Sequence, residues 1–182
     1  LFPYTTLFRS IMKLLDRIGI DISRRLKLED AIEWAAKNRL RHIDIQLDTG
    51  ENALPRFDAR RCAGVRKLLD KHDIELGLHT NSAVNVAEYS PHVSDAVTDY
   101  LKRYVDLVPQ LGASWTEMHA GYHFTKDKQA RMEAGKERLK RVVAHAEKKK
   151  ALVLVVMLKP CQKSSLKLKW LYLRNKQKKL IL

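Results

Sequence analysis

An α/β fold is what the sequence predicts, in the form of a partial (β/α)8 TIM barrel with about four βα units and a fifth strand. Three observations predict it. Short strand-like runs alternate with longer stretches of helical period. Four of those runs are apolar on one side and polar or small on the other. Two of them, "IELGLH" and "SWTEMH", stop at a histidine.

The elements follow in order. "RIGIDI" (17–22) reads as the first strand. In "LKLEDAIEWAAKNRL", Leu28, Ile32 and Ala35 share one face with Trp34 beside them, an amphipathic helix in which Trp34 is expected to join the core. "RHIDIQLD" (41–48) is a second strand, and Gly50, Asn52 and Pro55 mark a loop. Asp58 suits the N-cap of a helix through "ARRCAGVRKLLDKH". "IELGLH" (74–79) is the third strand, and a polar loop, "TNSAVNVAEYSP", leads to a helix from about Ser94 to Leu111 that Gly112 stops. "SWTEMHAG" is the fourth strand; the loop "YHFTKDK" precedes a helix from about Gln129 to Lys149, and "ALVLVV" (151–156) is the fifth strand. Strands and helices alternating in this way imply βαβ units and a parallel sheet.

Parity separates the barrel from an open sheet. Ile43, Ile45 and Leu47 alternate with Asp44, Gln46 and Asp48; Ile74, Leu76 and Leu78 with Glu75, Gly77 and His79; Ile18, Ile20 and Ile22 with Arg17, Gly19 and Asp21; and Thr116 and Met118 with Trp115, Glu117 and His119. A doubly wound sheet buries both faces under helices and is apolar on both. In a barrel the apolar side meets the helices, and the other side lines an interior whose upper layer is the active site. Histidines at the last inward position of neighbouring strands then sit at the C-terminal rim, aimed at one point, as a divalent-metal or polyol site requires.

Charge and composition bound the rest. The 182 residues carry a net charge of +14, which taken alone points to nucleic acid. Residues 1–10 and 157–182, however, hold nine of the 35 basic residues and none of the 21 acidic ones, so residues 11–156 carry only +5. "LFPYTTLFRS" (1–10) back-translates codon for codon into a sequencing adapter, and is read as a non-native segment. Residues 157–182 are rich in Lys and Leu and lack acid, Gly and Ala. They are read as the product of a frameshift, with a basic membrane- or nucleic-acid-binding tail as the alternative. Residues 11–156 form the N-terminal half of the barrel. No apolar run approaches the ~18 residues of a membrane span, and no secretory signal is read at the start. Cys62 and Cys161 lack metal-type spacing and are expected to be free thiols in a reducing cytoplasm.

"LGLHTNSAVNVAEYSP" (76–91), then "MHAGYHF" (118–124), then a helix into "LVLVV" (152–156), resembles the xylose isomerase-like TIM-barrel superfamily of sugar phosphate isomerases and epimerases, some of whose members are apurinic endonucleases. The resemblance covers roughly residues 15–156, about half of a barrel of typically ~250 residues. It implies a divalent metal ion at the strand ends, with His79 and His119 matching histidines that ligate metal in the endonuclease branch and more often line the substrate site in the sugar branch. Family members often have His-Pro-Gly where this chain has His119, Ala120 and Gly121. The family's fifth strand ends in a glutamate ligand; here Val155, Val156 and Met157 stand there.

Glu117 is one inward layer below His119 and suits a carboxylate that orients that ring, or one paired with a barrel cation. Gln46 and Asp48 close the second strand at the rim and are candidates for sugar hydroxyls, although Asp48 also suits the start of the Gly50 turn. Asn81 and Asn85 follow the third strand, and Tyr122 and His123 the fourth, on loops of the kind that contact substrate in barrels or are simply solvated. No role is assigned to His42, His72, His92 or His145, and no catalytic residue is named. The expected function is metal-assisted proton transfer on a sugar or sugar phosphate in an intact parent, this polypeptide being inactive. The alternatives are an apurinic endonuclease-like phosphodiesterase, which the modest charge disfavours, and a non-catalytic polypeptide that self-associates through an open sheet edge.

Overall fold

A computed structural model describes residues 19–22, 26–121, 127–157 and 169–173. Tyr122, His123 and Cys161, and the segment read as adapter-derived, lie outside the described residues. The element order is β1 (Gly19–Asp21), α1 (Leu28–Lys37), β2 (His42–Ile45), α2 (Ala59–His72), β3 (Glu75–His79), α3 (Pro91–Leu111), β4 (Trp115–His119), α4 (Lys128–Lys149), β5 (Val153–Met157) and β6 (Lys169–Leu173). The strands form one sheet in sequence order, and β1 to β5 are all parallel. Four helices outside five consecutive parallel strands make part of a TIM barrel.

The edge at β5 is expected to stay open unless residues after it cover it, and β6 runs antiparallel along it from Val153↔Leu173 to Met157↔Lys169. Edge N–H and C=O groups favour any strand that can reach them. β1 remains at the opposite edge of the described sheet.

Parity is observed as read on β2 to β4; Arg17 and Ile18 of the first strand lie outside the described residues. Ile43, Ile45, Leu47, Leu76, Leu78 and Met118 are at most 1% exposed, while Asp44, Gln46, His79, Glu117 and His119 are half-buried on the other face. The core lies between the apolar face and the helices, with Leu28, Ile32, Val65, Leu101, Tyr104 and Val142 packing inward. Thr116 is buried there too, its hydroxyl donating to the Leu78 carbonyl at 3.0 Å.

Helix ends follow local chemistry. Asp58 caps α2 by accepting from the Arg61 N–H at 2.7 Å. α1 has no cap from its own neighbours; Asn52, buried 24 residues away, accepts from the Leu28 N–H at 2.9 Å. Helix α3 starts at Pro91 rather than near Ser94, because a proline at the first helical position is pre-set for the turn. Gly112 ends α3 with φ 70°. Arg66 donates to the Pro109 and Gln110 carbonyls, groups that helix termination leaves without intrahelical partners.

Trp34 departs from expectation: it is 45% exposed. The buried stripe of α1 is Leu28, Ala31, Ile32 and Ala35, and a residue next to Ala35 points about 100° away from it. Trp115 is half-buried on the polar face instead. A Cβ on Gly77, the neighbouring residue of β3, would lie 2.5 Å from the Trp115 indole, so glycine is what admits that ring to the lower inward layer.

Candidate functional site

Strand register builds the site. Asp44 pairs with Gly77, and His79, two residues further along β3, pairs with Glu117. His119 ends β4 two residues beyond Glu117. Asp44 and Trp115 therefore occupy one inward layer, His79 and Glu117 the next, and His119 the rim.

The two imidazoles meet. His79 Nε2 and His119 Nε2 are 3.3 Å apart, and the ring centroids are separated by 5.3 Å with a 48° tilt. Asp44 Oδ2 lies 3.4 Å from His79 Nδ1, and Glu117 Oε1 lies 3.9 Å from His79 Nε2. Two atoms in this cluster are buried without a hydrogen-bond partner among the described residues: Asp44 Oδ1 and His119 Nδ1.

The environment splits the two rings electrostatically. Asp44 beside His79 raises its pKa above the ordinary histidine value, outweighing burial, with Glu117 and Asp21 adding to the effect. Burial lowers His119, and the neighbouring His79 lowers it further. Glu117 is pushed up, chiefly by burial; His79 opposes this, while Asp44 and Asp21 reinforce it. The layer thus combines an imidazole that takes a proton readily, one that resists it, and a carboxyl that ionises reluctantly.

Of the other candidates, Gln46 is half-buried on the same side of β2. Asp48 is drawn away: its two oxygens accept from Tyr100 at 2.7 Å and Tyr104 at 3.1 Å, both on α3. Tyr104 also accepts from the Leu47 N–H at 2.9 Å, and Tyr100 from the Asn81 N–H at 2.8 Å. Burial raises both phenols, so they stay protonated as donors. Asp48 therefore ties the ends of β2 and β3 to α3. Asn81 and Asn85 shape the loop after β3, each side-chain oxygen accepting from a backbone N–H two residues on.

The sequence offered no sign of Arg138. It is fully buried in α4 and donates to the carbonyls of Val86, Glu88 and Ser94 and to the hydroxyls of Ser94 and Thr98. Gly121 brings its backbone against the same loop; a Cβ there would lie 2.6 Å from the Ala87 nitrogen. The loop beside the histidine pair is anchored from beneath.

A catalytic zinc ion takes three protein ligands. Among the described residues no three His, Cys, Asp or Glu are grouped to hold one. The two ring nitrogens face each other, and β5 contributes valines where a carboxylate would be needed. The described residues do not by themselves complete a metal centre.

Comparison with known proteins decides the family. The family model described as xylose isomerase-like TIM barrel matches residues 27–162. The chain belongs to the xylose isomerase-like TIM-barrel family. Among solved structures, this family member resembles D-psicose 3-epimerase with D-tagatose from Clostridium cellulolyticum H10, with TM-score 0.64, 16% identity, and coverage of 74% of this chain and 50% of that one. It also resembles 3-keto-D-glucoside 4-epimerase from E. coli, with TM-score 0.59, 7% identity, and coverage of 75% and 54%. Endonuclease IV from Thermus thermophilus gives TM-score 0.55 at 17% identity, with coverage of 75% and 50%. These likenesses carry the fold. The chain spans about half the length of the structures it matches. None of the curated protein sequences matches it. No helix among the described residues is long and apolar enough to cross a membrane.

Proposed function

We propose that this chain contributes the hydroxyl-binding side of a barrel that isomerises or epimerises sugars or sugar phosphates. The observation that carries the proposal is the convergence of His79 and His119 at the C-terminal strand ends, above Glu117 and Asp44, in a family whose fold places its chemistry there. Sugar hydroxyls are donors and acceptors at once. Neutral imidazoles supply one of each, an ionised carboxylate accepts, and an amide such as Gln46 does both. Asn81 extends the same side, and Tyr122 and His123, which follow β4 in the sequence, are further candidates; Asp48 serves α3 instead.

Isomerisation needs a base that moves a proton between neighbouring sugar carbons, and epimerisation needs a base on one face of the carbon and a separate acid on the other. β5 supplies Val155 and Val156 at its end and no such group. This polypeptide is therefore expected to bind sugar without turning it over. An endonuclease-like role is less well supported, because residues 11–156 carry a net charge of only +5 and an extended phosphodiester backbone calls for a basic groove.

Equilibrium binding tests the reading. Ketohexoses and their phosphates should bind saturably, and His79→Ala/His119→Ala should abolish that binding. Solvent deuterium should not enter the sugar, and an abasic-site duplex should neither bind nor be cut. Sugar binding that survives the double substitution, or cleavage of the duplex, would overturn the proposal.

A further inference from the structure

The histidine pair has a direction, and one residue outside the expected site sets it. We propose that Asp44 is a positioning residue that fixes the polarity of the His79–His119 contact, turning the pair into a donor–acceptor slot for a single hydroxyl group.

Polarity passes from one atom to the next. Asp44 Oδ2 faces His79 Nδ1 at 3.4 Å. An ionised carboxylate only accepts, so Nδ1 of His79 carries the hydrogen. When His79 is neutral its Nε2 is then a bare lone pair. Nε2 of His119 lies 3.3 Å away, and a hydrogen bond between the two requires the hydrogen on His119. That leaves His119 Nδ1 without hydrogen, which agrees with its burial away from any partner among the described residues. The reverse polarity would set a lone pair of His79 against a carboxylate and bury an N–H of His119 with no acceptor among the described residues, and orphaned buried donors are rarer than orphaned acceptors. Glu117 Oε1, at 3.9 Å from His79 Nε2, is too far to take over as partner.

A hydroxyl that takes the place of this contact accepts from His119 Nε2–H and donates to His79 Nε2; the two nitrogens, 3.3 Å apart, must separate to admit it. A carbonyl could only accept and an ammonium could only donate, so each would leave one ring nitrogen unmatched. The use of this slot by a sugar rests on the function proposed above. The polarity itself is readable with no sugar present, so failure of the two readings is distinguishable.

Long-range nitrogen–proton correlation spectra distinguish the two neutral tautomers of each ring. The spectra are taken above the pH at which the ring shifts stop changing, where both rings are neutral; for His79 that point lies higher than for His119, because Asp44 raises it. The chain should show His79 as Nδ1–H and His119 as Nε2–H, each preferred at least about tenfold, the scale of one charge-assisted hydrogen bond. Asp44→Ala should erase the preference in His79 and, through the contact, in His119. Asp44→Asn, whose amide can turn its NH2 toward Nδ1 as well as its oxygen, should also lose the preference while keeping the side chain's shape. Finding His79 as Nε2–H in the unsubstituted chain, or no change in either ring with Asp44→Ala, would overturn the proposal; the unsubstituted chain alone decides the first of these if Asp44→Ala fails to fold.

Discussion

The two faces of the sheet are made by alternate residues of the same strands, yet they answer to different demands. On the helix-facing side, Ile43, Ile45, Leu76, Leu78 and Met118 are sealed from water and need no partner beyond close packing. On the inward side, Asp44, His79, Glu117 and His119 are half-buried and contact one another at hydrogen-bond to ion-pair distances. Two of their buried polar atoms have no match among the described residues. Apolar burial contributes stability; partly matched polar burial costs it. The inward layer is therefore not explained by folding, and that is what supports the ligand-binding role proposed for it.

Substitutions on each face sharpen this contrast. The largest effect is expected for Leu78→Ala on the helix side: a fully buried leucine leaves a cavity, and about 2–5 kcal/mol of stability should be lost in urea unfolding. Gly77→Ala, one residue away on the inward side, tests whether the lower inward layer is packed rather than open. Its Cβ would collide with the Trp115 indole, and a loss of about 1–3 kcal/mol is expected. No loss would mean that the ring moves aside freely and that this layer is not close-packed.

Glu117→Gln should act in the opposite direction and more weakly. Because burial holds the Glu117 pKa above its unfolded value, the fold favours its protonated form. That contribution is complete below the unfolded pKa of about 4.3 and is lost as pH rises through the folded pKa. Glutamine stays neutral, so the substitution should raise the melting temperature at pH 7 by no more than a few degrees and leave it unchanged near pH 4. Thermal melts at the two pH values check the sign; a lower melting temperature at pH 7 would mean that the carboxylate is held by a stabilising pair after all.

Much of this contrast was legible in the sequence. Period-two alternation in "RHIDIQLD", "IELGLH" and "SWTEMH" carries the identity of each face, and the strand-end histidines follow from it. What was not legible depends on contacts between residues distant in the chain. Asp48 has the parity of an inward residue, but Tyr100 and Tyr104, spaced four apart on α3, claim its oxygens. Arg138 sits in a helix crowded with Lys and Arg, and nothing local marks it as the buried one. Asp44 shares the parity of Gln46, but its partnership with His79 depends on the register between β2 and β3. Trp34 misled because a large apolar residue next to an apolar stripe is not thereby within it.

The most direct test is to replace the imidazole pair with apolar side chains and measure two quantities on the same sample. For His79→Leu/His119→Leu, the account predicts an unfolding free energy equal to or above that of the unsubstituted chain, together with loss of ketohexose binding. A drop in stability as large as that of Leu78→Ala, with sugar binding retained, would contradict it.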